Sequence, residues 1–264
     1  MRVSKLRAAF LGAGLVLTAL PVAAAEDLTI VFKDGKGALQ TQYFTATKMR
    51  HNMGDRDSIM DMATGTMTSI DNKKKEYSQI TVEQMEAVMK QAEAQAKQAQ
   101  AQMEQAMAKV PPEMRQKMEQ MMGGVTEAIT VTRGGTRKVA GYDTQQYTIT
   151  MGESMKTDKW TTTSLQLPFD PTQFRKMSGF SGPAMGGPMM KNAAKLAEKM
   201  KEIQGFTLAE TTSFKVMGRG TDTSKEAVEV KRGPIPDATF AVPAGYKKVD
   251  SPMLKMGQTG RPPR

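Results

Sequence analysis

Twenty-four methionines, one histidine and no cysteine bound the chemistry open to this chain of 264 residues. Cys/His zinc sites, thiol redox chemistry, iron–sulfur ligation and disulfide scaffolds all need residue types the sequence lacks. A Ser-His-Asp arrangement could use only His51. No G-x-S-x-G elbow, phosphate-binding loop or dinucleotide fingerprint stands between a strand and a helix, and the glycines from Gly179 to Gly187 are interrupted by Pro183. Acidic pairs such as Asp55/Asp57 and Glu83/Glu86 have the spacing of a solvated turn and a helix start. These exclusions predict a protein that is not an enzyme and needs no cofactor.

Methionine is then the residue type with chemistry left to offer, and it has two uses. Its flexible thioether repacks around ligands of varied shape, so Met85, Met89, Met103, Met107, Met114 and Met118 are candidates to line an adaptable apolar surface. The same soft sulfur suits Cu(I). Met85, Met89, Met114, Met118, Met121 and Met122 could converge in a helical hairpin, with His51-Asn52-Met53 as a separate group. The four-residue spacing is equally what any apolar helix face requires, so no metal site is assigned.

Those methionines must be carried by helices. Thr81 with Gln84 forms a capping box, and Val82, Met85, Met89, Ala92, Ala96, Ala99, Met103, Ala106 and Val110 follow a three-four spacing. Pro111-Pro112 ends that helix, and a shorter one carrying Met114, Met118 and Met121 runs to Gly123-Gly124. Alanine in the middle of the seam buries little area. The segment therefore reads as an arm folded over the protein's own sheet in preference to a coiled-coil oligomerisation arm. A second helical stretch, Met189 to Ile203, follows the Ser181–Pro188 linker.

The rest of the sequence has the period of strands. Leu28, Ile30 and Phe32 alternate with Thr29, Val31 and Lys33 before the turn Asp34-Gly35-Lys36-Gly37. Met49, His51 and Met53 and then Ser58, Met60 and Met62 repeat the pattern. It resumes in Tyr147, Ile149 and Met151 and in Val228 and Val230. Lys73-Lys74-Lys75, between Asn72 and Glu76, reads as a charged turn between strands.

At the N-terminus, Arg2, Lys5 and Arg7 precede an apolar run from Ala8 to Leu20 and the small residues Ala23-Ala24-Ala25. The run is shorter than the roughly 18 residues that span a bilayer, so residues 1–25 are expected to be a cleaved signal peptide. Their removal takes three cations and no acidic residue, and the formal charge falls from +10 to +7. The remaining cations are scattered, and an exported protein has little access to nucleic acid. The expectation is a periplasmic protein with no nucleic-acid partner, able to touch a membrane surface transiently.

Several segments carry a family resemblance. They are Tyr43 to Arg50, Ile70 to Tyr77, Trp160 in its Thr-rich strand, Gly205-Phe206-Thr207-Leu208 and Pro236 to Lys248, which contains Phe240-Ala241-Val242-Pro243-Ala244-Gly245-Tyr246. Over most of residues 27–250 the sequence resembles the exported bacterial domain-of-unknown-function family 4412. That family in turn is similar to the lipoprotein carriers of LolA/LolB type. The resemblance implies a curved, incomplete antiparallel barrel with helices over an apolar cavity, and a hydrophobic ligand such as an acyl chain or a lipidated protein. The long Ala/Gln/Met hairpin departs from the carriers, and no carrier role is transferred to Arg50.

The expected architecture is therefore α+β. It comprises a signal peptide at 1–25, a LolA-like β domain at 26–250 with Met-rich helical insertions at 81–123 and 171–204 covering its concave face, and a disordered tail at 251–264. The expected function is non-catalytic binding of a hydrophobic ligand. Copper binding and partner binding through the helical hairpin are the alternatives.

Overall fold

The computed structural model describes residues 26–108, 128–170, 195–216 and 219–254. The putting together of twelve strands into one open sheet follows the order β12-β6-β5-β4-β3-β2-β1-β11-β10-β9-β8-β7. The first six are β1 (Leu28–Asp34), β2 (Leu39–Phe44), β3 (Lys48–Asn52), β4 (Arg56–Asp61), β5 (Thr66–Asp71) and β6 (Glu76–Thr81). They form an antiparallel meander, and four of its five turns share one device. Asp34, Asn52, Asp61 and Asp71 each end a strand, and each side chain accepts a backbone N–H from the following turn. The lysine run at 73–75 lies in the last of these turns, where Lys73 pairs with Asp55 at 2.5 Å.

At Thr81 the chain passes from β6 directly into the helix α1 (Val82–Ala108). The capping box is formed: Gln84 N–H donates to Thr81 Oγ1 at 3.2 Å, and Thr81 N–H donates to Gln84 Oε1 at 3.0 Å. The sheet resumes with β7 (Ile129–Val139), β8 (Tyr142–Met151) and β9 (Met155–Thr162), then β10 (Phe206–Val216) and β11 (Arg219–Arg232). Strand β11 returns to pair with β1, which joins the two halves in one sheet. Local alternation could not show this pairing, because the joined strands lie almost 200 residues apart along the chain.

Residues paired directly across antiparallel strands share a face. One face, here the Phe32 face, carries an unbroken row of partners from β1 to β6: Leu28, Phe44, Met49, Met60, Met67 and Ile80. Leu28, Phe44, Met60 and Ile80 are buried. The next row on this face is Ile30, Gln42, His51, Ser58, Ser69 and Ser78. Leu165 and Phe169 join the core, where the Phe44 ring meets Phe169 and Phe206, each at 5.9 Å between centroids.

The opposite face, carrying Val31, is covered in the first half by the C-terminal segment. Arg50 donates from Nη1 to the Thr239 carbonyl at 2.6 Å and from Nη2 to Asp57. Asn72 donates to Asp57 Oδ1 at 3.2 Å and accepts from Tyr246 Oη at 3.0 Å. A short 3-10 turn, Asp237–Phe240, and the two-residue strand β12 (Lys247–Lys248) complete the crossing.

Two expectations need correction here. Strand β12 runs parallel to β6, so the sheet is not wholly antiparallel, and residues 233–246 lie outside its strands. The packed chain also continues past Asp250. Ser251 is buried and its carbonyl accepts the Leu254 N–H at 3.0 Å, so a disordered tail cannot start at 251. Residues 1–25, the expected signal peptide, and residues 255–264 lie outside the described residues.

Candidate functional site

The sheet is curved strongly enough to bring distant strands together on each face. On the Val31 face, Arg137 of β7 reaches Glu226 of β11 with two hydrogen bonds of 2.9 and 2.8 Å, and its guanidinium lies 4.6 Å from the Trp160 ring centroid. A depression of about 360 Å³ beside this clasp is lined in part by Lys33, Ala209, Ser224 and Val228. Arg137 is fully engaged within the protein, by a bidentate carboxylate and an aromatic face, so this arrangement reads as a tie across the curled sheet.

On the Phe32 face an open depression of about 330 Å³ crosses from β2 to β9. Phe32 and Phe206 supply apolar surface, while Gln42, Lys159, Glu210 and Lys225 supply polar groups. Register explains the arrangement. Asp34, Lys225, Glu210 and Lys159 are successive cross-strand partners from β1 to β9, so charges of alternating sign stand side by side, and Tyr147 and Arg133 continue the row to β7.

Lys159 Nζ pairs with Glu210 Oε2 at 2.7 Å. Burial acts to raise the Glu210 carboxyl. The hydrogen bond from Lys159 and the charges of Lys159 and Lys225 outweigh it, and the pKa lies below its ordinary value. Lys225 Nζ sits 5.9 Å from the Phe32 ring centroid.

His51 lies on the same face, and its Nε2 is buried without a hydrogen-bond partner. Burial and then the charge of Lys225 lower its pKa below 6.5, against an opposing pull from Asp57. A depressed folded pKa means that the unfolded chain binds the proton more readily. Stability contributed by neutral His51 is therefore complete above 6.5 and declines as pH falls from there toward the folded pKa. Glu210 contributes in the same direction, at pH below its ordinary 4.5. Between pH 7 and 5, urea midpoints should fall for the native protein and fall less for His51→Gln. Equal slopes would remove His51 as the cause.

The expected methionine site divides unevenly. Met85, in the first turns of α1, is buried and Met89 is half-buried. Met103 and Met107 belong to α1, but nothing is assigned to their side chains. Met114 and Met118, with Met121 and Met122, lie outside the described residues, as does the second insertion up to residue 194. In the alternative His51-Asn52-Met53 group, His51 is on the Phe32 face. Asn52 pairs across β3 and β4 with Asp57 on the Val31 face, and Met53 is exposed beyond β3.

The charged residues of the depression were missed by sequence reasoning, although a signal existed. In β11 Lys225 shares the phase of buried Ala227, while in β10 a register shift between Thr207 and Ala209 interrupts the alternation ahead of Glu210. A charge in the core phase of a strand is the mark of a polar site. Nothing local shows that three such charges, from three strands, meet.

The fold and this face define a curved β-sheet protein with an amphipathic groove. The chain belongs to the family described as Domain of unknown function (DUF4412), whose model matches residues 23–246. Among curated proteins none matches the sequence.

Proposed function

We propose that this is an exported, non-catalytic binding protein of LolA-like architecture that holds a hydrophobic ligand, an acyl chain or a lipidated protein, against the Phe32 face under its Met-rich helices. The supporting observation is the apolar row Leu28-Phe44-Met49-Met60-Met67-Ile80, which runs across six strands toward β6 and the start of α1. Three adjacent methionines give that row a surface able to adapt to a flexible chain. The groove beside it is open and already half apolar. The short apolar run and Ala23-Ala24-Ala25 support export to the periplasm, with a mature protein starting near Glu26.

Burial separates two tests of the helical lid. Met85 is 2% exposed, so Met85→Asp would bury an unpaired carboxylate and weaken the fold by roughly 3 kcal/mol. Met89 is half-buried, so Met89→Asp should leave the fold intact and weaken binding several-fold. The measurement is titration of a fluorescent fatty acid into protein recovered from the periplasm, with its N-terminus sequenced. Absence of saturable binding would overturn the reading. Unchanged binding by Met89→Asp would take α1 out of the site, and an N-terminus retaining residues 1–25 would overturn export.

A further inference from the structure

The same face holds two polar groups whose bonding capacity the protein leaves unused. Lys225 is half-buried, and its ammonium has no hydrogen-bond or ion-pair partner among the described residues. Glu210, its cross-strand neighbour, gives its short ion pair to Lys159 on the other side. His51 Nε2 is the second unused group. Gln42, which pairs with His51 across β2 and β3, lines the same depression as Lys225, Phe32 and Phe206.

The Phe32 ring, 5.9 Å away, attracts the ammonium but accepts none of its N–H groups as a carboxylate would, so its hydrogen-bonding capacity is left for an anion. The depression contains two lysines and one glutamate, and the one ion pair leaves Lys225 as the surplus cation. Phe32 and Phe206 offer apolar contact within the same space. A purely apolar ligand would strand the ammonium, and a small inorganic anion would leave the rings without a partner.

We propose that this depression receives the anionic head of an amphiphile, with Lys225 binding the carboxylate or phosphate group and Phe32 and Phe206 packing on its first methylenes. Gln42, which lines the same depression, is placed to complete the polar contacts. Glu210 is a positioning residue that holds Lys159 aside and excludes a second anion. The inference rests on the hydrophobic-ligand reading and deepens it, because it names the class of ligand and the end that is recognised.

Calorimetric titration of the mature protein with decanoate and with decanol, ligands alike in chain length and different in charge, tests it. The native protein should bind decanoate roughly tenfold more tightly, the scale of one charge-assisted hydrogen bond in a partly buried site. Lys225→Gln should lose that preference while binding decanol as before, and Lys225→Arg should keep most of it. Equal affinity for the two ligands in the native protein, or an unchanged preference in Lys225→Gln, would overturn the head-group site and leave the hydrophobic-ligand reading standing. If neither ligand binds, both fall together. Inorganic phosphate serves as the remaining arm. Binding of phosphate alone as tight as that of decanoate would show a simple anion site and overturn the amphiphile.

Discussion

Arg50→Ala lowers the melting temperature by roughly 10 °C or more, the largest effect expected of any single side-chain truncation away from the apolar core. The reason is what it leaves behind. Asp57 is 3% exposed, and its carboxylate is held by Arg50 with help from Asn72 and Asn52. Removing one partner of a buried pair costs about 3–5 kcal/mol because the other charge stays buried. At this chain length each kcal/mol moves the transition by roughly 2–4 °C. Arg50 also ties the C-terminal segment down through the carbonyls of Thr239 and Ala241, so its loss releases packing on the Val31 face. The double variant Arg50→Met/Asp57→Leu should recover much of the stability, since replacing both charges leaves nothing unpaired. Differential scanning calorimetry of the single and double variants checks this. An Arg50→Ala protein melting within about 2 °C of the native one would refute the clamp.

Gly205→Ala is the second large effect, with an expected cost of roughly 2–4 kcal/mol. Gly205 has φ +87, and a Cβ there would lie 2.4 Å from the Thr162 carbonyl oxygen and 2.6 Å from its carbon. Both atoms are backbone, so relief requires β9 to move, whereas a flexible side chain could swing aside. The next residue, Phe206, pairs with Thr162 and packs edge-on against Phe44, so the strain falls where the depression joins the core. Affinity for the proposed amphiphile should drop with stability. Gly135→Ala is the control, because a Cβ there meets nothing within 4 Å. The two variants differ by one methyl each, and melting curves that shift equally would remove the steric argument.

The N-terminal half of the fold was legible because its information is local. Alternation placed β1, β3 and β4 in a stretch read as strands to about residue 80, and Thr81 with Gln84 marked the start of α1 to the residue; the Asp and Asn side chains that close the turns are equally local. Each of these signals lies within a few residues of the structure it specifies, which is the range over which side-chain and backbone groups compete for hydrogen bonds. The family-like segments Tyr43 to Arg50 and Pro236 to Lys248 were visible in the sequence. Their meaning was not, because Arg50 meets Thr239 only after some 190 residues of intervening chain have folded.

The candidate site belongs to the tertiary structure for the same reason. Methionine periodicity directed attention to the helices, while Met49, Met60 and Met67 stood in separate strands as ordinary apolar positions. Only strand register makes them neighbours, and only the return of β11 to β1 brings Lys225 into the depression with Gln42, Phe32 and Glu210. Composition alone excluded thiol and Cys/His metal chemistry, and period and capping located strands and the long helix. Which charge stands beside which ring was decided by long-range pairing, since a shift of one residue in register would have turned Lys225 to the other face.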